Sequence, residues 1–532
     1  MANLNWLKTA KVKVPQRSGF DKSHRTLFTG KCGTLYPILC DEVIPNTRVH
    51  LKVASNIQMP PLVSDAFMNV QMKMEAFFVP FRLLYGGFES WLTGDKVFDT
   101  DTEAYEDVVI PVIRHYGSSF PGLGSGTLAD FLGIRTVAST GSDSDQVEFF
   151  TNAFPFLAYH RVYDDWYRNT KIQRSLFTRR SVPSITGLVL THLPFDSLST
   201  HSSSYWLTLD DIFPDDYSLG QLRQRNFGSD YFTEAVASPQ LGDSQSVEIG
   251  ESDTFTISAL RAANSIQQWL ERRNLGGLRL QDYVLENYGA SLSDGVAQRV
   301  LFLGSESFDV YTNGVEQSAE ATNERNPFSS VGTRYGNAYA SGDGVLIEDF
   351  TVNEPGFIFV MASLVPKVVY SSGVDKLHRC YNRQNSQTDM ANPLLQNVGL
   401  EPIYSSELNG KDIYGTRANY VFGYIDRYSR FMTKEDSLHG ILRDGESLQY
   451  FALQRHFDDA VEISSDFLEI PQNYLDQVMA ANAGVSQFGY WADTYFNYYV
   501  SQPLAEFCQP SLQDPAYEHG NDVFVRRGGS RL

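Results

Sequence analysis

From Asn69 to Val79 the chain alternates one for one. Val70, Met72, Met74, Ala76 and Phe78 are apolar, and Asn69, Gln71, Lys73 and Glu75 between them are polar. Successive side chains of a strand point to opposite faces, so this period gives a strand with one face in a core. The two methionines share that period and are core packing, not a metal or cofactor stripe. Asn46 to Val53 repeats the pattern, with Val49, Leu51 and Val53 set against Arg48, His50 and Lys52. Between the two, Pro60 and Pro61 end one strand and turn the chain, because proline cannot donate to a ladder. Gly356 to Leu364 is apolar almost throughout, the pattern of a strand buried on both faces. Asn419–Tyr424, Gln449–Leu453 and Asp493–Val500 read as further strands.

Helical periods interrupt this β pattern. From Pro155 to Arg168, one face carries Ala158, Tyr159, Val162, Tyr163, Trp166 and Tyr167. The other carries His160, Arg161, Asp164, Asp165 and Arg168, where Arg161–Asp165 and Asp164–Arg168 stand four apart and can pair. A second helix spans Ile257 to Arg272, with Ile257, Leu260, Ala263, Ile266 and Leu270 inward, and Gly276 and Gly277 stop it. A third runs from Leu280 to Tyr288. Asp99–Glu148 and Gly304–Asp349 are long polar tracts, expected to be loops with an external or contact role. No internal repeat or domain linker divides the chain.

The formal charge of −20 argues against broad contact with nucleic acid, since a surface this acidic repels phosphates. Aromatics are abundant at 13%, which suits half-buried strand faces and interface centres. The four cysteines, Cys32, Cys40, Cys380 and Cys508, form no CxxC pair and are expected to be free thiols in a reducing cytoplasm. No apolar run has signal-peptide or membrane-spanning length.

Catalytic motifs are missing. TGKCGT at Thr29–Thr34 has Cys32 where a phosphate-binding loop needs Ser or Thr, and Arg25 where it needs Gly. The glycines at 122, 124 and 126 make a surface turn. Neither HExxH nor GxSxG occurs. The ten histidines are scattered, His160 and His456 among them. Acid pairs at 164–165, 210–211, 215–216 and 458–459 are sequence neighbours, whereas glycosidic acid–base work needs carboxylates facing each other across a bond. Asp143 and Asp145 could hold an ion, but nonspecifically. No catalytic, cofactor or metal residue is assigned. Basic residues gather at the ends: Lys8, Lys11, Lys13 and Arg17 at one, Arg526, Arg527 and Arg531 at the other. They form either solubilising tails or inward arms that touch nucleic acid through phosphates.

Several blocks resemble the major capsid proteins of the microviruses, in particular the gokushovirus-like phages. They include RSGFDKSH (17–24), GTLYPILCDEVIPNTRV (33–49), MPPLVSDAFMNVQMKMEAFFVPFRLLY (59–85), AFPFLAYHRVYDDWYRN (153–169), LRQRNFGSDYFTEAVASPQ (222–240) and EPGFIFVMASLVPKVVYSSGV (354–374). They stand in family order over most of the chain. The resemblance implies an eight-stranded viral jelly roll with large, partly helical insertions. It implies a basic arm over residues 1–30 and one domain over 31–532, with roughly 81–350 largely insertion. It also implies a small icosahedral, T=1 shell around circular single-stranded DNA, built in the host cytoplasm. The partners so implied are further copies of the chain, an internal scaffolding protein, a DNA-pilot protein, a small basic DNA-binding protein, the packaged DNA and a host receptor. A host-binding spike or adhesin and a secreted β-sandwich carbohydrase are the alternatives. Only Leu241–Thr256 fills the place where many gokushovirus chains carry a long insertion.

Overall fold

The alternating stretches become strands of two antiparallel sheets. The computed structural model describes residues 17–85, 87–94, 96–99, 104–107, 110–116, 124–134, 148–173, 175, 206–207, 218–240, 257–275, 279–316, 321–323, 326–329, 334–379, 400–413, 420–457, 461–480 and 489–504. The principal strands are β1 (Ser18–Asp21), β2 (His24–Gly30), β3 (Tyr36–Val43), β4 (Arg48–Gln58) and β5 (Val70–Pro80). They continue as β6 (Leu301–Asp309), β7 (Tyr311–Glu316), β8 (Arg334–Thr351), β9 (Gly356–Pro366) and β10 (Tyr490–Gln502). In the first sheet β10 lies between β4 and the pair β1 and β2, and β8 and β7 follow β4 outward. The second sheet runs β3–β9–β5–β6. Apart from β5–β6 and β7–β8, the chain crosses from one sheet to the other at each successive step from β2 to β10, the winding of a double-sheet jelly roll.

Strand faces account for the core. Val49, Leu51 and Val53 of β4, Met72, Met74, Ala76 and Phe78 of β5, and Phe496 and Tyr498 of β10 meet in one cluster between the sheets. The opposite face of the second sheet is also covered. Phe77 and Val79 of β5 and Phe357, Phe359 and Met361 of β9 join a second cluster. Its lid is helix α1 (Phe154–Val162), with Phe156, Leu157 and Tyr159. This double burial is why β9 is apolar at nearly every position, the buried exception Ser363 accepting a hydrogen bond from Arg225 at 3.0 Å.

Several elements differ from what the sequence pattern predicts. The tract 304–349 is largely strand, not loop, because its polar residues alternate with inward Ala338 and Ala340. Gln449–Phe451 is a single 3₁₀ turn, not a strand. Among the described residues, Ser18–Asp21 and His24–Gly30 are strands within the segment expected as an arm. The polar side of α1 does not face solvent: His160, Asp164 and Asp165 are buried. The helix continues through one π-turn, with the Arg168 N–H donating to the Tyr163 carbonyl at 3.1 Å. The foreseen pairs form within it, Arg161–Asp165 at 3.0 Å and Arg168–Asp164 at 2.8 Å. Segments brought from elsewhere complete the enclosure, since the Val300 N–H donates to Asp165 at 3.0 Å and Arg299 lies 3.6 Å from the Trp166 ring centroid.

His160 gives this region a pH signature. Its Nε2–H donates to the Leu219 carbonyl at 2.9 Å, and its Nδ1 accepts from Arg223 at 3.4 Å. Burial, reinforced by the Arg223 charge, pushes its pKa from 6.5 down to about 3. Between those values the unfolded chain binds the extra proton, so stability falls as pH drops below 6.5. Acidifying from pH 7 to 5 should therefore cost about 2 kcal/mol through this group. Urea unfolding at the two pH values reads the loss, and His160→Asn should remove most of it. The same pH dependence in both chains would refute a neutral, buried imidazole.

Candidate self-association surface

Helices α2 (Ile257–Leu275) and α3 (Leu280–Tyr288) are the elements whose orientation differs most from the sequence reading. Polar residues of both make contacts to the body of the protein, although Arg261, Asn264, Gln268 and Arg272 of α2 are exposed. Asn274 is buried and donates to the Ser238 carbonyl at 2.6 Å. Gln267 donates to Gln240 at 2.5 Å, and Arg299 donates to Gln281 of α3 at 3.1 Å. The two helices meet where Arg273 lies 5.0 Å from the Tyr283 ring centroid.

Their apolar residues face out. Ile257, Leu260 and Ile266, expected inward, are exposed, and Trp269 is 45% exposed. Leu285 and Tyr288 of α3 are exposed as well. Ala263 and Leu270 are partly covered. Among the described residues, Ile257, Leu260, Ile266 and Trp269 are thus left open on α2. An exposed apolar patch of this kind marks an interaction site, and burying it gains about 25 cal/mol for each Å² removed from water.

Among the described residues, the outer face of the first sheet is a second uncovered surface. Trp491, Tyr495 and Tyr499 project from β10, each at least 40% exposed. The Trp491 indole N–H donates to Gln58 of β4 at 2.9 Å, which fixes that ring on the sheet. Arg25 of β2 pairs with Asp493 of β10.

Inside the protein, one ionic group joins distant segments. Arg225 holds Glu75 of β5 with two hydrogen bonds, at 2.6 and 3.0 Å. The Tyr167 hydroxyl donates to the same carboxylate at 2.5 Å, and the Arg225 guanidinium lies 5.1 Å from the Tyr167 ring centroid. These contacts clamp the segment containing Arg225 and the end of the α1 helical run against the second sheet.

The remaining candidate residues find structural places or lie outside the described residues. Cys32 is buried and Cys40 half-buried, both as free thiols. Burial raises both thiols well above their usual range. Cys32 lies between the end of β2 and Gly33, whose N–H donates to the Leu364 carbonyl at 2.9 Å, so TGKCGT is a packed turn. His456 is bonded to Asp444. No group of metal-ligating side chains occurs among the described residues, and no helix is long and apolar enough to cross a membrane. Of the basic end residues, Arg17 is exposed and donates to the Asn46 carbonyl. Lys8, Lys11, Lys13, Arg526, Arg527 and Arg531 lie outside the described residues. So do Asp143, Asp145, Cys380, Cys508 and the acid pairs at 210–211, 215–216 and 458–459.

Jelly rolls with this winding occur in viral shells, lectins and cupins. Exposed apolar residues on α2 and α3 give this jelly roll a surface of the kind through which subunits meet. Comparison with known proteins takes the second step. The model of the capsid protein (F protein) family matches residues 8–253 and 244–512, and the chain belongs to that family. It is 23% identical to the capsid protein VP1 of Chlamydia phage 1, over 94% of this chain and 96% of the relative. It is 20% identical to the capsid protein VP1 of Spiroplasma virus 4, over 96% of each. A third relative, the capsid protein VP1 of Bdellovibrio phage phiMH2K, is 23% identical over 85% of this chain and 88% of the relative. The chain is thus a structural capsid protein of the virion, not an enzyme, as its resemblance to microvirus capsid proteins implied.

Proposed function

We propose that this chain assembles into a small icosahedral, T=1 shell around a circular single-stranded DNA genome. The observation that carries the reading is the outward apolar stripe of α2 and α3, placed on a jelly roll of the capsid family. A closed shell requires each patch to meet a complementary patch on another copy, and a patch anchored by polar contacts beneath is already positioned to do so. The basic segments around Lys8–Arg17 and Arg526–Arg531 reach the DNA through phosphates, within a chain whose overall charge of −20 opposes such contact. A separate small basic protein supplies further cations, and an internal scaffolding protein and a DNA-pilot protein take part in assembly in the host cytoplasm. Host attachment falls to exposed loops.

The full chain, purified with and without its phage's scaffolding protein, tests this reading. Sedimentation and negative-stain microscopy should show uniform isometric particles in at least one of the two preparations. Monomers or irregular aggregates in both would overturn it.

A further inference from the structure

We propose that the outer face of the first sheet forms the inner wall of the shell, where bases of single-stranded DNA stack on Trp491, Tyr495 and Tyr499. This rests on the shell reading and adds the contact surface to it. The three rings stand on one strand at intervals of four residues, about 13 Å apart, and all three are exposed. Aromatic rings on an open sheet stack bases without regard to sequence, because every base has a π-face.

Charge supports the same occupant. The whole chain has 63 acids against 43 lysines and arginines. On the outward face of β1, β2, β4 and β10, however, Arg25, Arg48 and Lys52 stand against two acids, Asp21 opposite Tyr499 and Asp493, which Arg25 already pairs with, and β8 beyond adds Asp343. The rest of that face is rich in amides, including Asn56 and Gln58 of β4 and Asn497 of β10. A cleft of about 840 Å³ runs over the β2 edge, lined by Arg25, Leu27, Asn56, Gln58 and Trp491 among others.

Topology adds a third argument. Ser18 of β1 pairs directly with Gln502 of β10. The basic segment before Ser18 and the segment leading to Arg526 therefore join the sheet at adjacent points.

The test uses the full-length chain and a twenty-residue thymidine oligonucleotide, unmodified for titration and bromouridine-substituted for photo-crosslinking. Crosslinks should fall within residues 490–502. Replacing Trp491, Tyr495 and Tyr499 with Thr, which keeps the strand, should weaken binding about tenfold per ring lost. The slope of log affinity against log salt should be shallow, about −1 to −2, as two or three phosphate contacts give. Tyr495→Phe, which keeps a ring, should bind like the parent and shows that loss in the triple variant follows the rings. Unchanged affinity in the triple variant, or crosslinks confined to other segments, overturns the inference. So does normal oligonucleotide binding with lost particle formation, which would make this face a contact between subunits. Failure of the unaltered chain to form particles would count against the shell reading instead.

Discussion

Subunits carrying Ile266→Glu and Trp269→Glu should fold as the parent does and fail to form particles. Both side chains are exposed on α2, and glutamate is a good helix former. The free subunit should therefore change by no more than about 0.5 kcal/mol, as surface substitutions usually do. In an assembled shell the two carboxylates would be desolvated against an apolar partner. A central aromatic anchor is worth about 2–4 kcal/mol at one contact, which weakens that contact roughly 30- to 1,000-fold. Symmetry repeats the defect in every copy, so the losses compound and no closed particle survives. Sedimentation velocity reads the assembly, and urea unfolding of the unassembled subunit reads the fold. Particles at normal yield would show that α2 lies on a free exterior and that copies meet elsewhere.

The largest effect on the subunit itself should come from Glu75→Ala, with a loss of about 3–5 kcal/mol. The substitution leaves the Arg225 guanidinium enclosed without its carboxylate and removes the acceptor of the Tyr167 hydroxyl. Both ionic side chains are only 15% exposed, so water cannot take the carboxylate's place. Most of the loss is the cost of an uncompensated buried charge, not the worth of the pair. Glu75→Met combined with Arg225→Met should recover much of it, because it removes both charges and keeps volume. Denaturant midpoints of the three chains decide the matter. If the single and double variants were equally unstable, packing rather than charge would hold this junction together.

The sequence was most readable where one residue type answers one question. The two-residue periods of β4 and β5 report which way each side chain points, and the structure places Val49, Leu51, Met72 and Met74 in the core accordingly. The apolar run of β9 was legible for the same reason. Periodicity says which residues share a face but not what that face meets. The stripe of α2 has the spacing of a core helix and faces outward. The polar side of α1 has the spacing of a solvent face and is buried with its ion pairs satisfied. The clamp between Glu75 and Arg225 joins residues 150 apart, a juxtaposition that no local pattern encodes. Trp491, Tyr495 and Tyr499 left a signal that was not singled out, an aromatic at every second outward position of an alternating strand.

The place of β10 has a consequence for how the protein is made. The last strand described lies not at an edge but between β2 and β4, and its ion pair with Arg25 spans 468 residues. A nascent chain must hold this slot open until Tyr490–Gln502 has left the ribosome, and closing so long a connection is slow. A polypeptide terminated before Tyr490 would expose two bare strand edges, a known route to misassociation. Translation and enclosure are thereby coupled: only a polypeptide read through β10 can complete the sheet that a virion wall is made from.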